Sequence, residues 1–214
     1  TYTWRWMHAS EEFYHGRMNL HALLTVLYKS VTEFPFDAFR AYFTSNHDEN
    51  SWNGTEYEKY GDAVQLLAVF SCTWNGIPML YSGQEMPNKK RLKFFEKDAI
   101  EWDGKFELHN FYKTLLLLHC SNKSLRAGDL NILTNIISHP NDYQVFAYAR
   151  KKGDDQVLVI LNFSSSEMNF QVKGVNGLFR NVFGGRDINF DVEDNVFLNA
   201  WGFLVFEKLP MLSQ

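Results

Sequence analysis

The sequence predicts an α/β region followed by an all-β region, and three observations predict it. A short apolar strand, a polar cluster and a helix follow one another twice between residues 41 and 120. The third strand-like stretch stands at the start of the chain, so strand and helix alternate three times, the pattern of a parallel sheet with right-handed crossovers. After Gly128 the apolar period changes from helical to alternating, and no helical stretch separates the strands that follow. The domains are therefore expected at 1–129 and 130–214.

Each element has a local reason. Thr1–Ser10 (TYTWRWMHAS) has the aromatic and β-branched character of a strand. From Met18 to Val31, apolar residues at 18, 22, 23, 26, 27 and 31 describe a helix with one buried face, which Phe34-Pro35 stops. A buried strand follows near Ala41–Ser45, then a polar loop at Ser51–Thr55. A second helix is expected from Tyr57 to Trp74, capped by Asn75-Gly76. Ile77–Tyr81 reads as a strand with Pro78 near its start, and Ser82–Glu85 as a turn in which Gly83 supplies the backbone freedom. An irregular insert at Met86–Lys105 precedes a helix at Leu108–Cys120. Beyond Gly128, strands are expected at Tyr143–Lys151, Gln156–Phe163, Met168–Val172, Leu178–Val182 and Trp201–Glu207, forming a small antiparallel sandwich.

Composition sets bounds on partners. The 214 residues are 45% hydrophobic and 16% aromatic, enough for a substantial core, and the formal charge of -4 argues against nucleic acid as a partner. Lys89-Lys90-Arg91 is the one basic run and reads as a solvated loop. No apolar stretch is long enough to span a membrane, since Leu115–Leu118 is flanked by Lys113 and His119. Cys72 and Cys120 lie in apolar runs far apart, so two buried, unbridged thiols are expected, and the compartment is left open. The start at Thr1, within what reads as a structural element, is taken as the sign of a longer parent protein.

The stretch Arg40–Asn50 (RAYFTSNHDEN) changes from apolar to polar within a few residues, with no apolar neighbour to explain Asn46, His47, Asp48 and Glu49. A polar cluster released at the C-terminal end of a buried parallel strand is where α/β barrels carry their chemistry. His47 and Asp48 are thus the candidate catalytic pair. The plain alternative is a helix cap beside a core histidine; another is a metal-dependent phosphohydrolase pair, which needs further His and Asp at helical spacing.

FTSNHD at Phe43–Asp48, GIPMLYSGQE at Gly76–Glu85 and the β-rich tail together resemble the α-amylase family of glycoside hydrolases (glycoside hydrolase family 13), over the whole chain. The resemblance implies the last third of a (β/α)8 barrel, with its sixth to eighth strands at Thr1–Met7, Ala41–Ser45 and Ile77–Tyr81, followed by a C-terminal antiparallel β-sandwich. It implies a retaining enzyme acting on starch, maltodextrin or a related α-glucan. Asp48 then matches the third essential carboxylate and, with His47, bonds the 2- and 3-hydroxyls of the sugar at the cleavage point. Asn46 orients the turn, and Glu49 and Asn50 line the neighbouring leaving-group side. Trp52 is the aromatic best placed for sugar contact, His8 points to the same rim, and Gln84 and Glu85 are expected to converge on the face that carries Asp48.

The departures from the family pattern matter equally. A retaining glycosidase needs a nucleophile and an acid/base about 5–5.5 Å apart, and the family carries them on its fourth and fifth strands, which this sequence lacks. Phe36-Asp37-Ala38-Phe39-Arg40 does not match the nucleophile motif, and Glu11-Glu12 precedes a helix. The chain alone is therefore expected to be inactive. Transglycosylase members share these motifs, and a non-catalytic glucan-binding protein on the same fold is the reading from another class. Calcium belongs to the family's parent proteins, but no metal set and no cofactor is readable in this segment. With three strands of a barrel, the apolar faces of Trp4, Trp6, Tyr42, Phe43, Met79 and Tyr81 are expected to lack partners and to promote association.

Overall fold

The computed structural model describes residues 1–35, 37–137 and 143–210; Phe36, which figured in the motif comparison, lies outside them. The chain forms two compact units, Thr1–Leu117 and Leu118–Gln214.

The first unit is organised on a short parallel ladder. β1 (Ala41–Tyr42) pairs in parallel with β2 (Ile77–Pro78), and Tyr2 bridges Ala41 in parallel on the other side. Of the strand expected over Thr1–Ser10, only Tyr2 joins the ladder; from Trp4 the chain is instead α1 (Trp4–Tyr14). The reason is burial: Trp6, Met7, Ala9 and Ser10 are the covered residues, and steps of one, three and four residues suit a helix, not an alternating strand. Aromatic content was the weaker signal.

α2 (Leu20–Glu33) is capped by Asn19, whose side chain accepts from Ala22 N at 2.9 Å, and ends before Phe34-Pro35. Its covered face is Leu20, Leu23 and Leu27, whereas Val31 is exposed. Between β1 and β2 the helix expected over Tyr57–Trp74 is divided into α4 (Glu56–Tyr60), a 3₁₀ turn (Gly61–Ala63) and α5 (Val64–Thr73), and it is preceded by α3 (His47–Trp52), where a polar cluster and loop were expected. The break is at Gly61, where φ is +46° and a Cβ would sit 1.9 Å from the Tyr14 hydroxyl. α4 opens with a reciprocal cap between Thr55 and Glu58. α5 is buried nearly all round.

Three of the six apolar side chains expected to lack partners are covered inside this unit, while Trp4, Met79 and Tyr81 are half-buried. Trp6 stacks on Phe70 at 4.3 Å, Tyr42 meets Phe70 edge-on at 5.5 Å, and Phe43 lies against Tyr2 and Trp4. Trp6, Tyr42 and Phe43 are buried, which corrects that expectation for these three. Helix-borne rings supply the contacts that a longer sheet was expected to supply.

The division between the units falls within α6 (His109–Ser121). Along this helix Leu115 and Leu118 are buried while Leu117 and Cys120 are exposed. The expectation of a buried thiol therefore holds for Cys72, whose pKa burial pushes up to about 12, and fails for Cys120, which shares the outward stripe with Leu117.

The second unit is antiparallel. Six strands run in the order β3 (Leu133–Ile136), β4 (Val145–Lys152), β5 (Asp155–Asn162), β10 (Phe203–Lys208), β7 (Leu178–Asn181) and β8 (Ile188–Asn189). A second sheet pairs β6 (Met168–Gln171) with β9 (Asn195–Leu198). Phe170, Val172, Val196 and Leu198 share one core with Val145, Ala147, Leu158, Ile160, Phe179 and Phe206, which makes a sandwich of unequal layers. β3, β8 and β9 were not foreseen. The alternation of buried Val196 and Leu198 with exposed Phe197 was the available sign of β9.

Candidate functional site

The site starts where β1 ends. Asn46 adopts an extended conformation (φ -152°, ψ -177°), and its Oδ1 accepts from Asp48 N at 2.9 Å and Glu49 N at 2.8 Å. This N-cap turns the chain into α3 within one residue of the strand region. The polar run is thus the first turn of a helix and not an open loop.

Burial divides the cluster sharply. Asn46, Glu49 and Asn50 are buried, whereas the side chains of His47 and Asp48 are 64% and 38% exposed, with His47 Nε2 3.4 Å from Asp48 Oδ1. Glu49 pairs with buried Lys59, whose Nζ also lies 3.6 Å from Glu11 Oε2, and Asn53 Nδ2 donates to Glu49 Oε1 at 3.0 Å. Asn50 Nδ2 donates to the Lys90 carbonyl at 3.1 Å and its Oδ1 accepts from Leu92 N at 2.8 Å. Glu49 and Asn50 are therefore engaged within the unit, one with a helix and one with the segment after β2.

Gln84 is also buried and engaged. Its Nε2 donates to Thr44 Oγ1 at 2.8 Å and Glu56 Oε2 at 2.7 Å, and its Oε1 accepts from Tyr81 N at 2.6 Å. The Thr44 hydroxyl donates to Glu56. Burial raises the Glu56 carboxyl to about 7 against the opposing pull of these two hydrogen bonds. Because β1 and β2 are parallel, the segments following both leave from the same end, and Thr44–Glu56–Gln84 is where they meet. Glu85 is half-buried, its carbonyl accepting from Leu108 N at 2.9 Å.

His8 does not end a strand; it is exposed on α1, its ring stacked on Trp4 at 6.3 Å, and Trp4 in turn packs on Phe43. Trp52 is exposed at the end of α3. The basic run is engaged internally: Lys89 lies over the Tyr57 ring, Lys90 pairs with Asp98 and Glu101, and Arg91 pairs with Glu58, whose carboxyl these hydrogen bonds lower to about 2. Among the described residues no three His, Cys, Asp or Glu side chains gather as a metal-ligand set, and no helix is long and apolar enough to cross a membrane.

Thr44, Glu56 and Lys59 were missed by sequence reasoning. The sign was present: Glu56, Lys59, Tyr60, Ala63 and Val64 recur at helical steps, which aligns two charged residues with an apolar face.

Parallel strand ends carrying a half-exposed His-Asp pair, with a β-sandwich later in the chain, define an α/β-plus-β protein. Residues 136–205 match the family model described as Maltogenic Amylase, C-terminal domain. The chain is 30% identical over 171 residues to "Alpha-amylase MalA" of Haloarcula japonica, covering 75% of this chain and 24% of that protein. It is 26% identical over 159 residues to "Alpha-amylase 2" of Dictyoglomus thermophilum, covering 68% and 26%. In structure it is similar to a noncanonic maltogenic α-amylase, AmyB from Thermotoga neapolitana, with a TM-score of 0.81, 17% identity, and coverage of 98% of this chain and 51% of that one. The chain spans about a quarter of the length of these curated relatives. It belongs to the α-amylase family of glycoside hydrolases, glycoside hydrolase family 13, and corresponds to a C-terminal part of it.

Proposed function

We propose that the first unit is the last third of a (β/α)8 barrel and that His47 and Asp48 bind the 2- and 3-hydroxyls of an α-glucan at the bond being cleaved. The observation carrying this is the division of burial in Asn46–Asn50: the neighbours are engaged within the protein, and the two residues implied to touch sugar face outward. The parallel order Tyr2, β1, β2 with helices between them supports the barrel reading.

The chemistry is a matter of differential binding. As a glucose ring flattens toward an oxocarbenium ion, hydrogen bonds to its 2-hydroxyl strengthen, so an acceptor held there stabilises the transition state more than the ground state. Asp48 supplies the acceptor, His47 a neighbouring donor or acceptor, and the Asn46 cap fixes the backbone between them. The nucleophile and acid/base are proposed to lie upstream in the parent enzyme.

The test is titration calorimetry of maltose into the full chain. His47→Ala and Asp48→Ala are each expected to weaken binding by about 10- to 100-fold, the range for a hydrogen bond to a charged or strongly polar group. Release of sugar from maltoheptaose is expected to be undetectable. Turnover by this chain would overturn the upstream placement of the other carboxylates; unchanged affinity in both variants would overturn the hydroxyl-binding role.

A further inference from the structure

Three aromatic side chains outside the hydrogen-bonded cluster form a second surface. Trp52 ends α3, while Phe94 and Phe95 come from the irregular segment after β2. Their ring centroids are 5.0 Å (Trp52–Phe94), 5.7 Å (Trp52–Phe95) and 4.8 Å (Phe94–Phe95) apart, with the last two pairs nearly perpendicular. They touch one another yet stay 57%, 42% and 83% exposed. Three adjoining exposed rings with a charged rim of Lys93, Glu96 and Lys97 are a surface for something to land on.

The supporting segment is built to hold them. Asn50 fixes Lys90 and Leu92 to α3, and Arg91 pairs with Glu58 of α4. Asp98 closes the excursion by accepting from Lys93 N at 3.1 Å and Lys90 Nζ at 2.8 Å, and Lys93 pairs with Glu96. Phe94 and Phe95 thus sit in a loop whose two ends are tied together. On α3, Asp48 and Trp52 are four residues apart and so lie on one helix face, a single turn from each other.

We propose that Trp52, Phe94 and Phe95 form a stacking platform for an α-glucan chain, taking glucose units beyond the one bound by His47 and Asp48. The inference rests on the glucan reading of that pair. A pyranose ring presents an apolar C–H face and a hydroxyl edge. The negative faces of aromatic rings suit the first, and the charged rim suits the second. Continuity along α3 with the proposed hydroxyl-binding pair makes a sugar chain the occupant in preference to a protein surface.

Calorimetry on the full chain with maltose and with maltoheptaose tests this, using Phe94→Ala/Phe95→Ala, Trp52→Ala and Asp48→Asn, with circular dichroism to confirm folding. The double variant replaces exposed side chains and is expected to stay folded. It should weaken maltoheptaose by about tenfold or more and maltose, which has a single unit beyond the one at His47 and Asp48, by distinctly less; Trp52→Ala should follow it, and Asp48→Asn should weaken both sugars. If the double variant binds maltoheptaose like the parent while Asp48→Asn loses both sugars, the platform is overturned and the His47–Asp48 reading stands. If the parent binds neither sugar at millimolar concentration, both fall. If the rings instead drive concentration-dependent self-association that the double variant abolishes without changing glucan affinity, the platform is overturned.

Discussion

Gln84 Nε2 donates to Glu56 Oε2 at 2.7 Å, joining the turn after β2 to the first residue of α4. The same nitrogen reaches Thr44 Oγ1, and the Thr44 hydroxyl donates to Glu56, so three side chains from three segments satisfy one another in a buried place. A buried carboxyl in such a place is held neutral more easily than charged. The strand ends that carry His47 and Asp48 are therefore bound together by a group that titrates near neutrality.

That group gives the first prediction. Glu56 ionises at about 7 in the folded chain against an ordinary 4.5, so between those values the folded protein keeps a proton that the unfolded chain has lost. Its stabilising contribution is complete below 4.5, declines as pH rises toward 7 and is gone above it. At about 1.4 kcal/mol for each unit of pKa, the decline amounts to about 3 kcal/mol. Urea unfolding across this range should show the fall in the parent chain and a much flatter profile in Glu56→Gln, which keeps an acceptor but cannot ionise. Parallel profiles would place the titration elsewhere.

The second prediction concerns Lys59, which is buried against Glu49 with Glu11 nearby. Removing one partner of a buried ion pair leaves the other charge without compensation, and Lys59→Met is expected to cost about 3–5 kcal/mol. Lys59→Met combined with Glu49→Leu should recover much of that loss, since no charge is then stranded between these two positions. Denaturant midpoints of the single and double variants decide it: a double variant no better than the single would show that the loss came from packing.

How much of this was legible follows from where each signal lies. The Asn46–Asn50 cluster is contiguous, so its polarity shows in the sequence, as do the stop at Pro35 and most of the sandwich strands. The roles inside the cluster do not show, because Asn50 meets Lys90 and Leu92 only after folding and Glu49 meets Lys59 across a helix break. The next break, between α4 and α5, sets the Tyr14 hydroxyl in the space beside Gly61, a contact 47 residues away in the chain that no local period encodes. Trp4–Tyr14 misled in the other direction: its aromatics suggested a strand, while the steps between its buried residues belonged to a helix. Phe94 and Phe95 have no periodic neighbours, so nothing local set them apart from the rest of the insert.

The third prediction follows from Asn46. Replacing it with Ala removes the acceptor for Asp48 N and Glu49 N and should cost about 1 kcal/mol of stability. Asn46→Asp retains an acceptor and should restore that stability. Maltose affinity measured beside the melting temperature shows whether the cap also positions His47 and Asp48: affinity lost with Ala and regained with Asp is the expected pattern, and affinity indifferent to both would argue that the pair is set by other contacts.

The last prediction is at Gly76, the residue before β2. A Cβ there would lie 2.5 Å from the Arg40 carbonyl oxygen and 2.6 Å from Tyr42 Cδ2. Neither neighbour can yield cheaply. The Arg40 oxygen accepts from Ile77 N at 2.8 Å within the parallel ladder, and Tyr42 is buried edge-on against Phe70. Gly76→Ala must therefore push β2 away from β1 or displace a core ring, at a cost of about 2–3 kcal/mol or more. Because the same ladder aims the segments after both strands to one end, the damage should spread: the joint at Thr44, Glu56 and Gln84 should loosen, and amide exchange at Ile77 and Met79 should accelerate together with loss of maltose affinity. Gly76→Ala with unchanged melting temperature and unchanged exchange at these two amides would mean that the ladder can shift without disturbing what it carries.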